Sequence, residues 1–310
     1  MRRSYYKRII KKYCEINKYE CLEELCAAFP DVSQNTMESI IDQECQKKAR
    51  SVFRYHSEPE NAKNYYESYL ERRNNEQCGV ILKMAEDIDL SPALLMKIIL
   101  NYHFNTYLKE KDSNDHKVVE KCEINELMAT PSLIEDHLLA AEVKLITFTD
   151  KSYGPVADML RNCKGVQFEN ILKRDLKSLG LIFTDEKTLR EKGFDKTPDI
   201  RLDIPIAINN RVVNWIESKA SFGDEERHFE YLKKQYWDYY RRFGPGLVIY
   251  WDGFVDEINN NKKQGVIVRD RVPAEVTYMD PLSNLNTSWI SEDLFKELNS
   301  QPLRYVKDKT

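Results

Sequence analysis

Two acids and a lysine have the types and spacing that could perform chemistry: Asp199, Glu217 and Lys219. Pro198 and Asp199 open one strand-like segment, and Glu217-Ser218-Lys219 closes the next one. A hairpin formed by the two segments can bring both carboxylates and the amine to the same end. Carboxylates bind divalent cations, and a lysine can polarise or deprotonate a water. The spacing therefore indicates metal-assisted hydrolysis, with a surface hairpin that carries an ion pair as the equally weighted alternative.

The triplet of an acid, any residue and a lysine is not specific by itself. It also occurs at four other acids of the chain: Asp115, Glu142, Asp175 and Asp185. None of those triplets ends a strand that forms the second arm of a hairpin opened by Pro-Asp. The position of the triplet at 217–219, rather than its letters, makes it a candidate site.

The hairpin is predicted by residue type. Residues 200–208 and 212–216 are rich in β-branched side chains, and the pair Asn209-Asn210 tolerates the positive φ that a tight turn needs. Glu217 and Lys219 are two residues apart, so on a strand they share one face. We therefore expect two antiparallel strands with both functional groups of the second strand on the same side.

The register of this hairpin poses a geometric problem. A strict two-residue turn places Leu202 opposite Glu217 and turns Asp199 to the other face, because one residue of shift reverses every side chain. A shared site therefore requires an odd residue in the hairpin. That residue comes either from a three-residue turn that includes Arg211 or from a bulge near Pro205, which cannot donate a ladder hydrogen bond.

The segments on either side of the hairpin have helix and strand patterns. Residues 165–180 have apolar side chains at helical spacing and end in glycine, and residues 181–183 follow as a short strand. Residues 224–243 form a long aromatic helix that Gly-Pro-Gly ends. Residues 247–251 and 266–268 are two further strands. This order of helix, strand, hairpin, helix and strand predicts a three-layer α/β core.

Four segments carry a resemblance to a known group: YGP at 153–155, GFDKTPDI at 193–200, WIESKASFGDE at 215–225 and FGPGLVIYWDGF at 243–254. With these segments the chain resembles the PD-(D/E)xK nuclease superfamily, and within it the TPD family. The resemblance is strong over about residues 150–275 and weak in the first half. It implies a restriction-endonuclease-like core, which is a mixed sheet flanked by helices, and hydrolysis of DNA phosphodiester bonds.

The resemblance also implies a role for each residue of the candidate site. Asp199 and Glu217 match the acids that bind the metal, and the Ser218 carbonyl completes that side. Lys219 matches the lysine that positions or activates the attacking water. Glu169, on the helix before the hairpin, matches the acid that such enzymes often project toward the metal. We expect the carboxylates of Asp199 and Glu217 to lie within about 5 Å of each other if they share an ion.

Gln235 and Tyr239 form a Gln-x-x-x-Tyr pattern in the helix after the hairpin. It is similar to a motif of the RecB-like branch that touches nucleic acid near the scissile phosphate. The match is weak, and for Tyr239 packing in the aromatic core is the favoured alternative. One face of this helix is expected to pack on the sheet, with Gln235 reaching toward the acids.

The ligand types limit the choice of metal. Oxygen donors without histidine or cysteine select hard ions, so the expected cofactor is Mg²⁺ or Mn²⁺ and not Zn²⁺. Three neighbouring carboxylates repel one another, which raises their pKa values or demands a cation. A bound cation can contact a phosphate oxygen and lower the pKa of its water. The neighbouring acids favour the charged form of Lys219, so it can stabilise transition-state charge as well as act as a base.

Composition excludes several classes of protein. The 310 residues carry a formal net charge of −4, so this is not a generally basic nucleic-acid coat, and contacts with phosphates would come from local patches. Seven cysteines without a CxxC pair argue for reduced thiols rather than a disulfide framework or a zinc finger. The sequence contains no long apolar run, which excludes a membrane span.

Residues 1–145 are predicted to form a helical domain that binds nucleic acid or a protein partner. Two stretches have a helix-turn-helix layout: 21–29 with 35–45, and 80–88 with 92–104, where Ser91 is a natural N-cap. Ordinary bundle helices are the favoured alternative for both. Residues 2–12 are basic, which suits a solvated helix better than a mitochondrial presequence.

Three further expectations complete the domain plan. Residues 109–125 are polar and suit a linker or an exposed loop, residues 150–275 hold the nuclease domain, and residues 276–310 form a C-terminal extension. The resemblance implies a codanin-like protein partner and a location in the nucleus and cytoplasm. The chain is then a nuclease acting on DNA or another nucleic acid, or a nuclease-fold adaptor of weak or no activity whose main role is docking. The substrate's form, duplex, branched or single-stranded, stays open.

Overall fold

The computed structural model describes residues 1–16, 21–73, 78–107, 123–260 and 265–279. Helices make up the described part of the first half. They are α1 (Arg3–Glu15), α2 (Cys21–Ala28), α3 (Gln34–His56), α4 (Pro59–Arg73), α5 (Val80–Asp87), α6 (Pro92–Tyr102) with a π turn at His103–Tyr107, α7 (Glu123–Ala129), a 3₁₀ turn at Pro131–Leu133 and α8 (His137–Thr149).

The second half combines helices with a sheet. Its helices are α9 (Pro155–Ser178), α10 (Glu186–Glu191), α11 (Glu225–Tyr231), a π turn at Leu232–Tyr236 that continues into α12 (Trp237–Phe243), and a 3₁₀ turn at Asp256–Asn260. Its strands are β1 (Phe183–Asp185), β2 (Ile200–Ile208), β3 (Arg211–Lys219), β4 (Gly246–Tyr250), β5 (Val266–Arg269) and β6 (Thr277–Tyr278).

The strands form one mixed sheet in the order β1-β2-β3-β4-β5, with β6 pairing to β2. The first three strands pair antiparallel, and β3-β4 and β4-β5 pair parallel. Helices cover both faces of this sheet. The prediction of a mixed sheet flanked by helices is therefore confirmed, and its relation to the restriction-endonuclease-like fold stays a prediction.

The two faces of the sheet bury different side chains. On one face, Leu172 and Leu176 of α9 pack against aliphatic residues of β2, β3, β4 and β5. On the other face, Leu232, Tyr236 and Tyr239 of the segment from α11 to α12 pack around Trp215. Aliphatic side chains therefore pack on one face of the sheet, and aromatic rings predominate on the other. Each of the two long helices packs one face on the sheet, as its periodic pattern predicts.

Gly246 allows β4 to pass close to this aromatic face. A Cβ at Gly246 would lie 2.1 Å from the indole of Trp215, which is closer than any side chain tolerates. The indole also donates a hydrogen bond of 2.8 Å to the Gly244 carbonyl. The Gly-Pro-Gly segment therefore ends α12 and makes room for the largest buried ring of the sheet.

The helices of the first half pack into two cores. One core joins the end of α3 with α4 to α8. The other joins α1, α2 and the start of α3 with Phe222 and Val255 of the second half. Ser39 accepts a hydrogen bond of 2.8 Å from the Phe222 amide, and Gln43 donates one of 2.7 Å to the Phe222 carbonyl. The first helices therefore hold the segment that directly follows β3.

Both helix-turn-helix layouts are present as helices, and Ser91 caps α6 as predicted, since its side chain accepts from the Leu94 amide. Seven of the eleven residues of α6 are buried in the core, however. A helix so enclosed cannot lie in a DNA groove, so α6 is a bundle helix rather than a recognition helix. The other layout continues to His56 in α3 instead of ending at 45.

Several predicted boundaries were wrong. α9 begins at Pro155, ten residues before the predicted start, because a Gly-Pro pair at 154–155 opens it. The strand predicted at 181–183 lies at 183–185, and α10 and β6 were not predicted. The predicted linker lies outside the described residues up to residue 122, and so does the C-terminal extension from residue 280 onward.

Within the described residues, no helix combines the length and the apolar character that crossing a membrane requires.

Candidate active site

A bulge in β2 solves the register problem of the hairpin. Asn209 and Asn210 have φ values of 51° and 59° and form a two-residue turn that pairs Ile208 with Arg211. The three-residue turn was therefore the wrong alternative. The register then shifts between Arg201 and Ile206, so that Ile200 pairs with Ile216. This irregularity surrounds Pro205, where a bulge was predicted, and it brings Asp199 level with Glu217.

Two hydrogen bonds join the acids across the hairpin. The Asp199 amide donates to Glu217 Oε2 at 3.3 Å, and the Ser218 amide donates to Asp199 Oδ2 at 2.6 Å. Asp199 lies just before β2 and is mostly buried, while Glu217 lies within β3 and is only 4% exposed. The structure thus brings together the two acids that the sequence placed at one end of the hairpin.

Lys219 joins this pair from the end of β3. Its ammonium donates to Glu217 Oε1 at 2.7 Å and to Gln235 Oε1 at 3.3 Å. The side chain of Lys219 is 17% exposed, so its charge lies largely inside the protein. The expectation that Gln235 reaches the acid pocket is confirmed by this contact.

The site carries one lysine for two buried acids, and this imbalance shifts their pKa values. Burial, and then the charge of Glu217, raise the pKa of Asp199 well above its ordinary value, although the Ser218 amide opposes the rise. Burial also raises the pKa of Glu217, against the attraction of Lys219. Burial alone would lower the pKa of Lys219, but the two acids outweigh it and raise that pKa.

Glu169 lies on α9, half-buried, and its charge adds to the rise in the pKa of Asp199. Among the residues that the structure describes, however, no three histidine, cysteine or acidic side chains are close enough to hold a metal ion together. The donors that could hold a cation are therefore the carboxylates of Asp199 and Glu217 and the backbone carbonyl of Ser218, and Glu169 acts on them through its charge.

Gln235 and Tyr239 have different surroundings. Gln235 lies in the π turn between α11 and α12, and π turns occur frequently at functional sites. Tyr239 is 4% exposed and packs edge to face on Trp215, with ring centroids 5.3 Å apart. Burial raises the pKa of Tyr239, and the charges of Glu217 and Asp199 raise it further. Tyr239 thus packs in the aromatic core, as the favoured alternative predicted, and is close enough to the two acids to feel their charges.

The contacts of two residues near the site, Trp251 and Asp252, were missed by the sequence analysis. Trp251 follows β4, and its indole donates a hydrogen bond of 2.9 Å to the Ser218 hydroxyl. Its ring stacks on Phe168 of α9 at 4.9 Å. Asp252 then pairs with Lys164 of the same helix at 2.7 Å. Trp251 and Asp252 both lie in the segment FGPGLVIYWDGF. Together they hold α9, the helix that carries Glu169, against the sheet.

Comparison with known proteins gives a consistent set of relatives. Residues 135–272 match the family described as a protein of unknown function with the TPD sequence motif. Proteins named CDAN1-interacting nuclease 1 are similar over most of this chain. The one from Danio rerio is 40% identical over 260 residues, which cover 83% of this chain and 84% of that protein. The one from Homo sapiens is 38% identical over 258 residues, covering 83% and 89%. No solved structure matches.

Proposed function

Because this chain belongs to the TPD-motif family together with the proteins named CDAN1-interacting nuclease 1, we propose that it is a metal-dependent nuclease of the PD-(D/E)xK type that hydrolyses DNA phosphodiester bonds. One observation carries the proposal. A β-bulge brings Asp199 level with Glu217 and leaves Lys219 within hydrogen-bonding distance of that pair. Two buried acids with raised pKa values have little structural purpose, since each is costly to bury.

The donors fit a hard divalent cation. Asp199 and Glu217 supply carboxylate oxygens, Ser218 supplies a carbonyl oxygen, and Glu169 adds negative charge from α9. Such all-oxygen sites suit Mg²⁺ or Mn²⁺. The cation would supply a Lewis acid for the phosphate and a more acidic water. A cation would also relieve the repulsion from Glu217, which adds to burial in raising the pKa of Asp199.

Lys219 acts as a cation in this proposal. Burial alone would lower its pKa, but Glu217 and Asp199 outweigh burial and raise it, which favours the ammonium form. Its N–H groups can orient the attacking water and stabilise the charge that develops on the phosphate. Gln235 holds the ammonium from the helix side, at 3.3 Å. Tyr239 supports this arrangement from the core, and a nucleic-acid contact stays part of the proposal for Gln235 alone.

The relatives support a proposal about the partner of this chain. Their name describes an interaction with CDAN1, so we propose a codanin-like protein partner for this chain. Action in the nucleus and cytoplasm is a separate part of the proposal, which the family resemblance implies. The second candidate function is an adaptor that docks on this partner with little or no cleavage. The buried acid pair favours the nuclease, because an adaptor has no physical need for it.

Asp199→Asn tests the nuclease, because it keeps the size of the side chain and removes one anionic ligand. Cleavage of labelled duplex, flap and junction DNA with Mg²⁺ or Mn²⁺ should fall by about a hundredfold or more. Mn²⁺ binding, measured by calorimetry or by soaking crystals, should weaken in parallel. Asp203→Asn is the matched control, because Asp203 is exposed on β2 and bonded to Thr184 rather than to the site.

Two results would count against the nuclease. Equal cleavage by wild type and Asp199→Asn would show that the activity lies elsewhere or in a contaminant. Wild type that binds its partner but cuts none of the substrates would leave the adaptor as the better description.

A further inference from the structure

Three groups surround the Lys219 ammonium, and one of them is an aromatic ring. Nζ lies 2.7 Å from Glu217 Oε1 and 3.3 Å from Gln235 Oε1. It also lies 4.6 Å from the ring centroid of Tyr231, the last residue of α11. A cation within about 6 Å of an aromatic face is attracted by the ring's electron density. The lysine is therefore held by two oxygens and one ring face.

We propose that Tyr231 is a positioning residue that holds the Lys219 ammonium in place for phosphodiester cleavage, an inference that rests on the nuclease function proposed above. Tyr231 and Gln235 are four residues apart in one continuous helical segment, so they present their side chains to the same side. Both reach the same ammonium: Tyr231 ends α11, and Gln235 lies in the π turn at Leu232–Tyr236 that follows it. The segment thus supplies a ring and an amide oxygen for a single cation.

The chemistry of the site explains why a ring is useful at this position. Glu217 is assigned both to the lysine and to the cation, and its Oε1 cannot serve both fully. The Tyr231 ring attracts the whole positive charge of the ammonium and does not require any N–H group to point in a particular direction. The ammonium can therefore keep its position while its N–H groups turn toward a phosphate oxygen. An additional carboxylate would hold the lysine too, but it would increase the repulsion in the pocket.

Tyr231 also packs against Tyr236, with ring centroids 5.9 Å apart, so a purely structural role is the competing explanation. Two variants separate the explanations. Tyr231→Phe keeps the aromatic face and removes the hydroxyl, while Tyr231→Leu removes the face. Phe229→Leu is the matched control, because Phe229 is exposed on the same helix and carries its own cation, Lys233, at 4.2 Å from the ring centroid.

The first experiment measures kcat and KM for labelled DNA with Mn²⁺, together with melting temperature. Tyr231→Leu should lower kcat about tenfold, the size of a desolvated cation–π contact, and leave KM near the wild-type value. Tyr231→Phe should stay within about twofold of wild type, as should Phe229→Leu. Full kcat in Tyr231→Leu would overturn the proposal. So would equal loss in Tyr231→Phe and Tyr231→Leu, because the hydroxyl would then be the important group.

The second experiment needs no cleavage. Protons of a lysine held over a ring shift upfield in the NMR spectrum, and Lys219→Arg identifies the signal by removing it. Wild type and Tyr231→Phe should show the shifted signal. Its absence from wild type would overturn the placement, even if Tyr231→Leu fails to fold. If wild type shows the signal but cuts no DNA, the nuclease function fails and the contact between Lys219 and Tyr231 stands.

Discussion

Two buried glutamates of this chain begin the same triplet and have different surroundings. Glu142, in the helical half, is 3% exposed and accepts hydrogen bonds from the amides of Gly79, Val80 and Ile81 at 2.6 to 3.2 Å. Glu217, in the sheet, is 4% exposed and accepts one amide bond, at 3.3 Å, beside Lys219. The two side chains are almost equally buried, but more backbone amides donate hydrogen bonds to Glu142 than to Glu217.

The difference separates an acid with a structural role from the acid of the proposed active site. Glu142 fills the open N-terminus of α5, where free amides and the helix dipole favour a negative charge. Glu217 shares its pocket with a second acid, and burial raises the pKa of both. Backbone amides stabilise the carboxylate of Glu142, whereas the carboxylate of Glu217 is buried with fewer donors beside a second acid. Replacing each charge should therefore change different properties of the protein.

Glu142→Gln should produce the largest change in stability. The neutral amide turns an NH₂ group toward backbone donors and loses three charge-assisted hydrogen bonds. We expect the free energy of unfolding to fall by about 2–3 kcal/mol, measured by urea denaturation. Cleavage per folded molecule should remain. Glu217→Gln is the reciprocal variant, and it should lose cleavage instead. A stable Glu142→Gln protein without nuclease activity would reverse the comparison.

Local signals in the sequence singled out the triplet at 217–219 as a candidate site but did not reveal the structural role of Glu142. Pro-Asp, an Asn-Asn turn and Pro205 predicted both the hairpin and the bulge, because all these signals are local. The role of Glu142 depends on amides about sixty residues earlier in the chain. The same reason hid Trp251, which meets Ser218 only after β4 has returned beside β3. Spacing along the chain cannot reveal such partners.

The predicted domain organisation also missed contacts between elements that are distant in the sequence. Helical periodicity predicted most helices of the first half, yet it gave no sign that α3 would bond to Phe222 across the boundary. Those contacts join residues about 180 positions apart. They depend on the three-dimensional arrangement of complete elements, which the pattern of one element does not contain.

Asp199→Asn should give a smaller effect on stability and one of opposite sign. Burial and Glu217 raise the pKa of Asp199, so ionising it opposes folding. This penalty is absent below the ordinary aspartate pKa of about 3.9 and is complete once the pH exceeds the folded pKa. The metal-free variant should therefore be more stable than wild type by about 1 kcal/mol at neutral pH.

Thermal melts in EDTA across a pH series measure this difference. The advantage of Asp199→Asn should shrink as the pH falls toward about 4, where wild type is also protonated. A variant that is less stable than wild type at neutral pH would mean that Asp199 is stabilised by the fold, like Glu142. An advantage that persists unchanged at low pH would exclude ionisation as its cause.

Asp185→Asn should give the smallest effect on stability. It tests whether the role of an acid depends on its hydrogen-bond donors or on its nearness to Asp199. Asp185 also begins an acid-x-Lys triplet, and the Glu186 amide beside it donates to the Asp199 carbonyl at 3.0 Å. Yet Asp185 has donors of its own: it caps α10 through the Thr188 amide and hydroxyl, and Lys173 donates to it at 3.0 Å.

Those donors, with the Thr188 hydroxyl first, lower the pKa of Asp185 to about 2. The ionised group therefore stabilises the fold above pH about 3.9, and this contribution is lost as the pH falls toward 2. Asparagine keeps the cap and loses only the partly exposed pairing with Lys173, so urea denaturation at neutral pH should show a loss of about 0.5 kcal/mol. High salt should reduce even that loss. Cleavage should be unchanged, since an acid with its own donors makes no demand for a cation. A large loss of cleavage in Asp185→Asn would instead extend the site to β1 and make proximity to Asp199, rather than the lack of donors, the criterion for function.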